Sequence, residues 1–111
     1  MTVQHKELAA GRWCELTFFE QMANIGSEVE RALKWKGKGN TAFSSRAFER
    51  ALELLDLTIL HSKSSSQLKE LTRLREVLAD YFAFDNSYGS TKESWHSYFR
   101  AFNYAARLGR L

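Results

Sequence analysis

The sequence predicts an all-α protein, arranged as an antiparallel up-down four-helix bundle. Three observations carry this reading. The chain has no proline and only six glycines in 111 residues, which leaves few sites for the turns of an all-β fold. Apolar residues recur at spacings of three and four along four long stretches. The stretches are joined by short polar connections, which place consecutive helices side by side and antiparallel. A hydrophobic content of 44%, with 14% aromatic residues, is enough to bury one core without disulfides or a metal, so residues 1–111 are read as a single domain.

The first helix is expected over 12–36, with further helical turns before it over 4–10. Phe18, Met22, Ile25, Val29 and Ala32 form one apolar line, and Leu16, Phe19, Ala23, Gly26 and Leu33 widen it. So broad a face suits a helix that touches two or three others. Gly37, Lys38, Gly39 and Asn40 then end the helix, because glycine takes up the left-handed conformation of a helix terminus at little cost. A second helix over 42–61, capped by Asn40, Thr41 or Ser44, turns Ala47, Ala51, Leu54 and Thr58 and the line Phe48, Leu52, Leu55 and Ile59 inward. Its outer side alternates in charge through Arg46, Glu49, Arg50, Glu53 and Asp56, the pattern of a solvated, ion-paired face.

Ser64 and Gln67 have capping-box spacing and open a third helix over 66–84, with Leu68, Leu71, Leu74, Leu78, Tyr81 and Phe82 on its apolar side. The segment DNSYGS reads as a loop. Ser90 and Glu93 repeat the capping-box spacing ahead of a fourth helix over 91–109, whose apolar side is Trp95, Tyr98, Phe99, Phe102, Ala105, Ala106 and Leu108.

One stretch resists the simple pattern. Asn24, Ile25, Gly26, Ser27 and Glu28 (NIGSE) put three poor helix formers in mid-helix. A small residue on a bundle-facing side lets a neighbouring ring or backbone approach closely, so Gly26 is assigned to helix packing, with Phe48, Trp95 or Phe102 as the groups that fill the space. Asn24, Ser27 and Glu28 then flank the apolar face, where a polar side chain can bond a neighbouring helix and fix its register.

With Asn24 and Ile25 followed by a small residue, then Glu28 and Arg31, and with Phe48 and Leu52 on the next helix, about a third of the chain resembles a known family. These are the small bacterial four-helix-bundle proteins encoded within intervening sequences of 23S ribosomal RNA genes, together with the related accessory proteins of diversity-generating retroelements. The family usually reads Asn-Ile-Ala-Glu-Gly, where this chain has Gly26, Ser27 and Glu28 after Asn24 and Ile25. The resemblance implies homo-oligomers, ring-shaped in form, without enzymatic activity, and for the retroelement relatives binding to a reverse transcriptase and nucleic acid.

The residues offer little for catalysis. None of His5, His61 and His96 follows an arginine at the spacing of small helical ribonucleases. Glu93 and His96 make one Glu-x-x-His pair, but a di-iron bundle needs two, so no metal and no cofactor are expected. GKGNT lacks the order of a phosphate-binding P-loop and has no strand before it. Cys14 lies among core-directed neighbours and reads as a buried, inert thiol. A lone cysteine fits a reducing compartment, and no stretch has the pattern of a signal peptide or membrane span, so a cytoplasmic protein with no membrane partner is expected.

The strongest binding pattern is on the last helix. His96, Arg100, Asn103, Arg107 and Arg110 recur at helical spacing with Tyr104 beside them, and no acidic residue follows Glu93. Arginines and an aromatic ring can engage phosphates and stack on bases. Lys34, Lys36 and Lys38 cluster separately before Asn40. Since the net charge is only +3, this distribution carries more than the total. Two functions follow as expectations: a non-catalytic interaction module that forms a homo-oligomer or docks on a protein partner, or a nucleic-acid-binding accessory protein using the last helix.

Overall fold

The computed structural model describes the backbone of residues 6–109 and the side chains of residues 11–109. Among the described residues five helices appear where the sequence predicts four: α1 (Lys6–Glu15), α2 (Phe18–Gly37), α3 (Thr41–Leu60), α4 (Ser65–Ala83) and α5 (Lys92–Leu108). No strand occurs among the described residues. The extra boundary falls inside the expected first helix. Thr17 is an extended N-cap whose hydroxyl accepts from the Glu20 amide at 3.1 Å, while the Glu20 carboxylate accepts from the Thr17 amide at 2.9 Å. This reciprocal box satisfies two donors that a new helix start would otherwise leave open.

Among the described side chains of the short α1, Trp13 is the one buried against the rest of the fold. The Trp13 indole Nε1 donates to Thr58 Oγ1 on α3 at 2.8 Å. Its carbonyl accepts from the Gln21 side chain on α2 at 2.8 Å. Cys14, the next residue around the helix, is exposed. The expected buried thiol is therefore corrected: once Trp13 takes the inward position, its neighbour is carried about 100° away.

The other boundaries lie close to expectation, with one corrected cap. Asn40 caps α3 by accepting from the Phe43 amide at 3.1 Å, and Ser64 caps α4 by accepting from the Gln67 amide at 3.1 Å. The cap of α5 is Thr91 with Ser94, one residue later than the Ser90 and Glu93 reading. Ser90 instead exchanges hydrogen bonds with the Asn86 side chain, its amide donating at 2.8 Å and its carbonyl accepting at 2.9 Å.

Helix α2 is central, lying along α3 on one side and α5 on the other. Contacts along the first seam run in opposite directions: Trp35 meets Phe43, Ser44 Oγ donates to the Ala32 carbonyl, and Glu28 bridges to Arg50. The second seam runs the same way, with Glu30 against His96, Gly26 against Phe99 and Phe18 against Phe102. Phe48 meets Phe82 and Asp56 meets Arg75, so α3 and α4 are antiparallel too. Met22, Ile25, Leu55, Leu71, Leu78 and Phe99 are the fully buried centre, each worth about 1.5–3 kcal/mol relative to exposure.

Gly26 explains itself in this seam. A Cβ at that position would sit 2.7 Å from Phe99 Cδ1 and 2.9 Å from its Cγ, closer than real carbon contacts. The ring filling the space is Phe99, which was not among the three candidates named from sequence. Asn24 and Ser27 are exposed and bond their own helix, donating to the Glu20 and Ala23 carbonyls at 2.8 and 3.2 Å. Of the three polar neighbours, Glu28 alone reaches another helix, through Arg50 at 3.2 Å.

Candidate functional site

Phe99 and Trp95 turn inward on α5, and the same rotation sends Arg100, Asn103, Tyr104 and Arg107 to the outside. Tyr104 is 59% exposed. These four side chains, with Ala23 of α2 and Ala101 and Ala106 of α5, line an open depression of about 790 Å³. Neither arginine takes part in an ion pair among the described residues.

His96 stands apart from the stripe. Its Nδ1 lies 2.5 Å from Glu30 Oε1, tying the start of α5 to α2. Glu30 is the partner that sequence reading missed. Its signal was available in outline, since it follows Gly26 by four residues and so shares the α2 face that meets α5. Arg110 lies outside the described residues.

At the start of α2, two rings cluster with one from α5. Phe18, Phe19 and Phe102 have centroids 6.1 to 6.3 Å apart, and Phe19 remains 47% exposed. An exposed ring such as Phe19 can be buried against a partner, and cations on the same pair of helices can set the partner's charge preference.

Tyr98 packs against Phe102 of this cluster, with ring centroids 5.3 Å apart, on the side of α5 away from the arginine stripe. Its hydroxyl donates to Glu70 Oε2 on α4 at 2.5 Å. Burial first, and the Glu70 hydrogen bond and charge second, raise the Tyr98 pKa well above the ordinary phenol value. The Tyr98 hydroxyl therefore stays protonated and serves as a structural donor.

A second hollow of about 330 Å³ lies where α1, α2, α3 and the turn before α4 come together, lined by Cys14, Thr17, Gln21, Thr58 and His61 among others. No group of three or more His, Cys, Asp or Glu side chains comes together as a metal site among the described residues. No helix among the described residues is long and apolar enough to cross a membrane.

The chain matches no family model, no curated protein and no solved structure. The resemblance to the intervening-sequence and retroelement proteins rests on the quoted residues alone.

Proposed function

We propose that this chain is a non-catalytic helical interaction module that associates with a second copy of itself or docks on a protein partner. The observation that carries the reading is the ring cluster of Phe18, Phe19 and Phe102, with Phe19 exposed, on the same pair of helices that presents Arg100, Tyr104 and Arg107 outward. Self-association is the first case to test, because one copy already presents both rings and cations on neighbouring helices. In this reading α2 to α5 form the up-down four-helix bundle of a single domain, with α1 added as an arm pinned by Trp13. The resemblance stated above adds a ring-shaped homo-oligomer as the assembly to look for.

Light scattering over a hundredfold range of concentration tests it. A mass that rises to a discrete multiple of 12.8 kDa, and falls back in a Phe19→Asp variant, supports self-association through this face. A monomer at every concentration, with the variant indistinguishable, leaves docking on another protein as the surviving form.

A second reading is favoured by one specific feature, the absence of ion-pair partners for Arg100 and Arg107 among the described residues. Nucleic-acid binding on α5 predicts that an Arg100→Glu, Arg107→Glu double variant loses affinity while keeping its helicity. Unchanged affinity in that variant removes this reading.

A further inference from the structure

The other end of α2 carries a different concentration of charge. From Arg31 to Phe48 there are five cations, Arg31, Lys34, Lys36, Lys38 and Arg46, and no Asp or Glu. Arg31 is paired with Glu28 at 2.9 Å, and the remaining ion pairs use Arg50, Arg75 and His96. Lys34, Lys36, Lys38 and Arg46 therefore have no carboxylate partner among the described residues.

Aromatic rings stand where carboxylates would be expected. Trp35 and Phe43 meet edge to face with centroids 4.9 Å apart across the turn between α2 and α3. The Lys34 and Lys38 ammonium groups lie 5.7 and 5.3 Å from the Trp35 ring centre, and the Arg46 guanidinium lies 5.3 Å from that of Phe43. Lys36 sits 4.2 Å from the centre of Tyr81 on α4. A ring face holds a cation in place without neutralising it, so the charge stays available to an anion.

The helix dipole accounts for only part of this. Lysines in the last turn of α2 are favoured by its carbonyl end, yet the Lys34, Trp35 and Lys36 carbonyls are already met by the amides of Lys38, Gly39 and Asn40. Arg46 lies in the second turn of α3, near the end whose partial charge is positive. The dipole therefore gives no reason for a cation there. Close packing of like charges at this tip is a cost that an anionic ligand would relieve.

We infer that the α2–α3 tip is a binding surface for single-stranded nucleic acid, separate from the stripe on α5. Lys34, Lys38 and Arg46 engage successive phosphates, and Phe43, 42% exposed, offers a ring on which an unpaired base stacks. The interleaved rings select this partner over the other polyanions. A duplex hides its base faces inside the stack, and the Asp and Glu side chains of an acidic peptide carry no aromatic face to place on Phe43. A hollow of about 240 Å³ lined by Lys36, Thr41, Ser45, Phe48 and Phe82 lies beside the same turn and extends the path past the tip.

The test is fluorescence anisotropy of labelled oligothymidine and oligouridine with the full chain, titrated at several salt concentrations. A Lys34→Glu, Lys38→Glu, Arg46→Glu variant should bind at least tenfold more weakly, and the corresponding Gln variant should lower the salt slope by about 2 for three lost phosphate contacts. Phe43→Ala should weaken binding about tenfold with the salt slope unchanged, since stacking is lost and no charge is. Circular dichroism of each variant reports the fold, and the Gln variant covers a failure of the Glu variant to fold. The inference is overturned if neither single strand binds, or if duplex binds equally well and Phe43→Ala has no effect. It is also overturned if polyglutamate competes as well as oligothymidine, if anionic vesicles are bound in preference, or if only the Arg100→Glu, Arg107→Glu variant loses binding.

Discussion

The two flanks of the molecule are held together by different physics. On one, α5 is pressed against α2 so closely that the Phe99 ring occupies the place of a missing Cβ at Gly26. On the other, the segment after α4 is held by polar anchors. Buried Asp80 accepts from the amides of Ser87 and Tyr88 at 2.8 and 3.0 Å, and the Tyr88 hydroxyl returns to Glu76 at 2.6 Å. Asn86 supports the turn with a positive φ of 55°, a conformation that asparagine tolerates better than most residues. A close apolar seam depends on shape and fails when volume changes in either direction; an anchored loop depends on a few donors and acceptors and fails when one is removed.

Substitutions should separate the two. The largest effect is expected for Phe99→Ala, which empties the centre of the α2–α5 seam and should cost about 3–5 kcal/mol in denaturant unfolding. Asp80→Ala should cost about 2–3 kcal/mol, because two amides lose a charged acceptor. Its signature is fast hydrogen exchange confined to the Ser87 and Tyr88 amides, and exchange spread equally through α5 would contradict the division drawn here. Gly26→Ala comes next, at about 1–3 kcal/mol for the overpacked contact, partly offset by roughly 1 kcal/mol of helix propensity. A Gly26→Ala protein more stable than the wild type, with an unchanged structure, would refute the packing role. The smallest effect belongs to Arg75→Ala, since the Arg75–Asp56 pair at 2.7 Å is exposed and should be worth less than about 1 kcal/mol.

Tyr98 ties α5 to α4 and brings a pH dependence of definite sign. Its folded pKa is raised above the ordinary value of 10.0, chiefly by burial. The stability it contributes is fully present below pH 10 and is lost as pH rises beyond that, because the unfolded chain loses the phenolic proton first. Alkaline titration of unfolding free energy should fall more steeply above pH 10 in the wild type than in Tyr98→Phe. Equal slopes would show that the Tyr98 hydroxyl does not contribute.

Much of this fold could be read along the chain, and the misses share a cause. The helices α3, α4 and α5 follow from apolar spacing, within one residue of the expected bounds at each end. The break at Thr17 was legible in principle, since Thr17 and Glu20 have capping-box spacing ahead of an apolar run; the continuous apolar lines through Leu16, Phe18 and Phe19 concealed it. Periodicity gives the face of a helix but not its height against a neighbour. That is why Gly26 could be assigned to packing while its partner Phe99 could not be selected from the rings of α5. The Asp80 anchor was invisible for a related reason, because it reaches amides seven and eight residues ahead in a loop whose path no spacing encodes. On α5 the solvent-facing placement of Arg100, Asn103, Tyr104 and Arg107 followed from spacing alone, whereas the Glu30 tether on His96 needed the three-dimensional register.

The contact between position 26 and position 99 also bears on how this chain can change through descent. A lineage that enlarges the residue at 26 while Phe99 remains loses stability, and one that shrinks the residue at 99 opens a void opposite Gly26. Substitutions at the two positions are therefore tolerated best in pairs, glycine with a large ring or a larger side chain with a smaller one. Distant descendants of this sequence should be recognisable by that correlated exchange even where the residues around it have drifted beyond resemblance.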